Sequence, residues 1–265
     1  MKISYLGPIG TNCYEVATLY NDGQDNELIP AKTITEAITL LLENKVDECV
    51  VPIENSIKGT VLETLDNIFE NEEIYIKKEL IYNINHYLLG FPNNHSNIVY
   101  SHAQAIGQCK KYIYNNLKSY EIVEVESTAK GAQIVCDTKQ GLCISSKICA
   151  ELYNLDIIDE NIQDRNNNQT RFFVLSKNKE HRNTNVKVSM VFSTKHIPGA
   201  LYQILGLLNT FEINMTKIES RPSEKQLGDY WFWIDTTIEE LNKKTDVFFE
   251  ILNTKCSYFR ILGIY

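Results

Sequence analysis

Four short polar runs carry the residue types from which a binding or catalytic site could be built. Glu54, Asn55 and Ser56 follow the apolar run CVVPI, Ser101, His102 and Gln104 follow NIVY, and Glu126, Ser127 and Thr128 follow YEIVEV. The fourth run, Asn168 to Arg171, directly precedes FFVLS. The first three stand where predicted strands end, the edge at which open α/β sheets bind ligands. Hydroxyls and free backbone N–H groups at helix starts suit an anion, and a small carboxylate fits such a place. Arg171 adds a planar fork that can grip a carboxylate. Each residue also has a plainer use: Ser56, Ser101, Ser127 and Thr128 as helix caps, Arg171 in a surface ion pair, Gln104 and Gln108 on one exposed helix face. The histidines at 86, 95, 102, 181 and 196 have neither metal-ligand spacing nor a Ser-His-Asp order, so no metal site and no triad is expected.

A sheet-and-helix frame must position these runs. KISYL, CVVPI, NIVYS, YEIVEVES and GLCIS read as strands. Helices are expected over 11–20, 59–69, 103–117, 128–136 and 147–153. That alternation predicts parallel strands with right-handed crossovers, and a long strand over 79–89 separates two lobes with a cleft. The polar run SKNKEHRNTN, ending at Asn185, marks a domain boundary. Beyond it VKVSMVFS, a helix from PGALY onward with Pro in its first turn, NMTKIESRP, DYWFWIDTTI, a helix over 240–253 and YFRILGIY spell β-α-β-β-α-β, a ferredoxin-like plait.

Bulk properties narrow the function classes. The 265 residues are 43% hydrophobic and 23% charged, enough for two ordinary cores. No run of eighteen apolar residues is present, and MKISYLGPIG reads as strand and turn rather than as a secretory signal, so the expected location is the cytoplasm. The net charge of −8, with no basic stripe, argues against nucleic-acid and membrane partners. Seven cysteines, with no CxxC pair, read as small hydrophobes.

Taken in order, YLGPIGT at 5–11, VPIENSIKGTVLETLD at 51–66, SHAQAIGQC at 101–109, ESTAKGA at 126–132 and NQTRFFVL at 168–175 resemble the prephenate dehydratase family. PGALY at 198–202, INMTKIESRP at 213–222 and DYWFWID at 229–235 resemble its regulatory ACT domain. Local departures are Asn12 in place of Phe, Ala103 in place of Pro, and Lys130-Gly131 in place of Ala-type residues. The resemblance implies an α/β fold: a two-lobed, periplasmic-binding-protein-like catalytic domain over 1–180 and a ferredoxin-like (βαββαβ) ACT domain over 186–265.

The activity so implied is decarboxylative dehydration of prephenate to phenylpyruvate in L-phenylalanine synthesis, without cofactor. Thr170 and Glu126 would be catalytic; Asn55, Ser56, Ser101, Gln104, Gln108, Thr128, Arg171 and Phe172 would bind substrate. L-Phenylalanine would act as effector near Gly199, Ala200, Leu201 and Asn214, with Glu219, Ser220, Arg221 and Pro222 joining chains into a homodimer or homotetramer. The implied form is the stand-alone one. An arogenate dehydratase shares these motifs, and a non-catalytic solute-binding protein would share the two-lobed frame.

Overall fold

The computed structural model describes residues 1–179, 184–222 and 229–265. Part of the polar boundary run and His181 lie outside the described residues. The chain forms two compact units, Met1–Asn67 with Leu80–Val174, and Ile68–Glu79 with Leu175–Tyr265.

The first unit holds two lobes. One is a sheet whose strands run in the order Glu27–Ala31, Lys2–Leu6, Glu48–Asn55, Gln169–Ser176 and Tyr75–Asn83, with the short strand Gly59–Thr60 alongside Glu48–Asn55. Lys2–Leu6 pairs in parallel with both Glu27–Ala31 and Glu48–Asn55. Its apolar side chains Ile3 and Tyr5 join Val50, Phe172 and Val174 over Cys13, Val16 and Ala17 of the helix Asn12–Tyr20. Thr11 starts that helix, its Oγ1 accepting from the Tyr14 N–H at 3.3 Å.

The other lobe orders its strands Asp156–Asp159, Tyr87–Gly90, Leu142–Ser145, Ile98–Ser101 and Glu121–Glu124. It is a mixed sheet rather than the all-parallel one expected, because Tyr87–Gly90 runs antiparallel to both its neighbours. The long strand expected over 79–89 is two, Tyr75–Asn83 and Tyr87–Gly90, one in each sheet. Two further expectations shift. The helix expected from 59 begins at Leu62, since Gly59–Thr60 pairs as a strand, and the one over 103–117 breaks into Ala103–Gln108 and Lys110–Asn116.

Gly10 joins the two lobes. Its carbonyl accepts from Ser146 Oγ at 3.1 Å and from Cys149 Sγ at 3.2 Å. Its φ of +89° suits glycine, and a Cβ there would stand 2.9 Å from Cys149 Sγ and 3.2 Å from Ala129 Cβ.

The second unit contains a four-stranded antiparallel sheet in the order Asn214–Pro222, Tyr230–Glu240, Thr184–Thr194 and Cys256–Ile264, with helices Ala200–Thr210 and Lys243–Lys255. This is the plait expected from the sequence, except that Gly199, at φ +76°, and not Pro198, opens the first helix. Its core gathers Val188, Met190, Phe192, Ile204, Ile234 and Phe248. On the other face of the sheet the Asp235 carboxylate is buried, accepting from Ser189 Oγ at 2.5 Å and from Trp233 Nε1 at 2.8 Å. Within the same unit the Arg260 guanidinium donates to the carbonyls of Ile68, Asn71 and Ile74, and Glu79 pairs with Lys187. All seven cysteines are free. Among the described residues no helix is long and apolar enough to cross a membrane.

Gly10→Ala should combine backbone strain with overpacking, lowering stability by about 1–3 kcal/mol. A lower urea midpoint at unchanged m-value is the expected result, and an unchanged midpoint would show that Gly10 does not constrain the joint.

Candidate active site

A cavity of about 280 Å³ in the first unit is floored by one continuous array of side chains. The Oδ1 of Asn55 accepts from the backbone N–H groups of Ile57 and Lys58, both at 3.0 Å. Backbone N–H groups can only donate, so Asn55 Nδ2 must be the donor end of the amide. It donates to Asn168 Oδ1 at 2.8 Å and to Thr170 Oγ1 at 2.9 Å, with Gln169 O at 3.2 Å sharing its hydrogens. Asn168 then turns its own Nδ2 to Gln108 Oε1 at 3.2 Å. That oxygen also meets His86 Nε2 at 2.7 Å, so Nε2 carries the imidazole proton.

Two groups at the ends of this array have unused donors. An amide nitrogen is no acceptor, so the Thr170 proton points away from Asn55, and Thr170 lines the cavity. The Nε2 of Gln108 is buried with no partner among the described residues. Together they present hydrogen-bond donors to a ligand rich in oxygen.

Thr11, Asn12, Gln104, Glu126, Ser127 and Thr128 contribute to the walls. Ser127 Oγ accepts from the Lys130 N–H at 3.0 Å and His102 Nδ1 from the Gln104 N–H at 3.3 Å, so both residues cap helices that open on the cavity. His86 is buried. Burial pushes its imidazole below the ordinary pKa, while the Gln108 contact pulls the other way.

Of the catalytic and substrate-binding residues expected from sequence, Asn55, Gln104, Gln108, Glu126, Thr128 and Thr170 line this one cavity. Four do not. Ser56 ties two loops, its Oγ donating to Asn167 O and accepting from Gln169 N, each at 2.9 Å. Ser101 is buried and donates to Ile144 O at 2.7 Å, across to the neighbouring strand. Arg171, one residue past Thr170 on a strand, points to the other face, with Nη1 3.7 Å from Glu54 and its guanidinium 4.8 Å above the Phe173 ring. Phe172 returns to the face of Thr170 but one pleat further along, in the core beside Ile3 and Tyr5. Sequence reasoning gave no role to His86 or Asn168; only the position of Asn168 in the polar run NQTR pointed to it.

In the plait, Gly199, Ala200 and Leu201 line a cavity of about 540 Å³ with His196, Tyr202 and Tyr230. Asn214 lies elsewhere, in a cavity of about 800 Å³ with Lys187 and Tyr265. Glu219, Ser220, Arg221 and Pro222 belong to the edge strand.

The sequence model described as prephenate dehydratase matches residues 3–180. The chain belongs to the prephenate dehydratase family. A prephenate dehydratase of Methanocaldococcus jannaschii is 43% identical over 221 residues, covering 82% of this chain and 80% of that one. A prephenate dehydratase of Arthrobacter aurescens, solved in complex with L-Phe, superposes with a TM-score of 0.88 at 29% identity, over 100% of this chain and 90% of that one. A structure described as GqqA, a novel type of quorum quenching acylase, is also similar: TM-score 0.87, 25% identity, 100% and 97% coverage. The family sequence match thus runs through all six of the cavity residues expected from the sequence.

The lowered pKa of His86 carries a stability signature. An unfolded chain takes up this proton near its ordinary value of about 6.5, while the folded protein resists it. The unfolded state therefore binds more protons in that window, and stability falls as pH drops from about 6.5 toward the folded pKa. Urea unfolding of the wild type against His86→Gln across this range should show the decline in the wild type and a flatter profile in the variant. Parallel profiles would remove His86 as its source.

Proposed function

We propose that this chain catalyses the decarboxylative dehydration of prephenate to phenylpyruvate in L-phenylalanine biosynthesis, under feedback by phenylalanine at the plait. The observation that carries the reading is Thr170, a hydroxyl whose oxygen is held by an amide donor and whose proton is thereby free for the substrate. Prephenate loses its C4 hydroxyl and its ring carboxylate, and aromatisation drives the step. A Thr hydroxyl is too weak an acid to give up its proton early, so it contributes a hydrogen bond that tightens as the C–O bond breaks. Gln108 Nε2 is a second donor for the substrate's oxygens, and Glu126 in the cavity wall is the candidate proton source. Arg171, turned to Glu54, supports the Thr170 strand instead of gripping substrate.

Acyl transfer, the activity named for the acylase neighbour, is a poorer match, because folds are shared among chemistries and the hydroxyl here faces a donor rather than a base. In the plait, Gly199 permits the backbone to approach an amino acid closely. A ligand that binds two states of the protein unequally would shift the cleft's activity. The reading places the protein in the cytoplasm, where its free thiols stay reduced, as a homodimer or homotetramer joined through the edge strand bearing Glu219 to Pro222.

Thr170→Ala should stay folded and lose about 10²–10³-fold in kcat for phenylpyruvate formation. Retained turnover would take Thr170 out of the mechanism, and comparison of rates on prephenate and arogenate decides between the two substrates. Phenylalanine at about 100 times its Kd should add roughly 2.7 kcal/mol of stability and lower the rate. If neither changes, the plait has no effector role for it.

A further inference from the structure

Beside the cleft, in the same unit, lies a second cavity of about 500 Å³ that shares Gln104, Gln108 and Asn168 with it. Its wall carries Lys58, Lys110, Lys111 and Arg165 against one carboxylate, Asp164, which already accepts from the Lys111 backbone N–H at 3.0 Å. The four cations are exposed, and their side chains have no hydrogen-bond or ion-pair partner among the described residues. Clustered like charges repel one another, so folding stability does not account for them. None of the described residues lining the cleft itself is Lys or Arg. A dianion approaching a chain of net charge −8 is repelled overall, whereas this wall sets four cations against one carboxylate. Gln108, with its buried unpartnered Nε2, stands where the two cavities meet.

We propose that this second cavity is a carboxylate-receiving subsite, whose four cations draw a dicarboxylate toward the cleft and hold one carboxylate as the ring enters. The proposal rests on the dehydratase reading and deepens it, making substrate charge a selected property. A keto dicarboxylate is favoured over its amino counterpart, which carries a compensating ammonium.

The test compares wild type with Lys110→Glu/Lys111→Glu and with the conservative Lys110→Arg/Lys111→Arg. Prephenate turnover is followed from about 0.02 to 0.5 M salt, where the screening length falls from roughly 20 to 4 Å, and calorimetric titration with prephenate reads binding without requiring turnover. The expected result is a wild-type kcat/KM that falls about tenfold or more with salt. Charge reversal should raise both KM and Kd about tenfold or more and flatten the salt dependence, and the Arg variant should restore both. Unchanged KM and Kd on charge reversal would overturn the subsite. Wild type that binds prephenate in this charge-dependent way but forms no phenylpyruvate would leave the subsite standing and overturn the dehydratase reading.

Discussion

The cleft depends on one constraint, the two backbone N–H groups of Ile57 and Lys58 that converge on Asn55 Oδ1. A side-chain amide has a donor end and an acceptor end, and in isolation nothing prefers either orientation. Two donors that cannot reverse settle it for Asn55, and the choice passes through Asn168 and Gln108 to the His86 imidazole, and directly to Thr170. A tight turn over Asn55–Lys58 therefore decides where a hydroxyl proton points more than a hundred positions later. Such arrays are stable only when every member is satisfied or meets a ligand, and the cavity is where the remaining donors face.

The same rule governs the plait. Asp235 is buried, where an uncompensated charge would be severely destabilising, and Ser189 and Trp233 supply its hydrogen bonds. Ser189 also bonds the Tyr265 hydroxyl at 2.7 Å, which ties the last strand to the two central ones. In both units, buried polar groups specify a single arrangement where apolar packing alone would tolerate several.

The strand-helix rhythm and the plait were legible in the sequence, because period-two and period-3.6 patterns are local signals; most of the cleft residues came from the family resemblance of the motifs, with strand ends marking only where polar runs stand. Sheet direction was not. Whether Tyr87–Gly90 runs with or against Leu142–Ser145 depends on contacts remote in sequence. Motif membership also says which residues are near a site, not which way they point. Thr170, Arg171 and Phe172 are consecutive, yet strand alternation turns Arg171 to Glu54 on one face, and on the other face Thr170 meets the cavity while Phe172, one pleat on, enters the core. His86 escaped notice because its partner Gln108 is distant in the chain and its own segment, NINHYLLG, reads in the sequence as part of one plain strand, whereas His86 sits in the break between two.

The one-way order of hydrogens in the cleft floor also limits how this protein can change over generations. Replacing Asn55 or Asn168 with its acid would set acceptor against acceptor at contact distance, and no rotation of the neighbour would relieve it without disturbing the next link. Residues coupled in this way do not drift singly. The floor resists single substitutions, whereas each exposed cation at its margin bonds no neighbouring side chain among the described residues and can change without forcing a second change beside it.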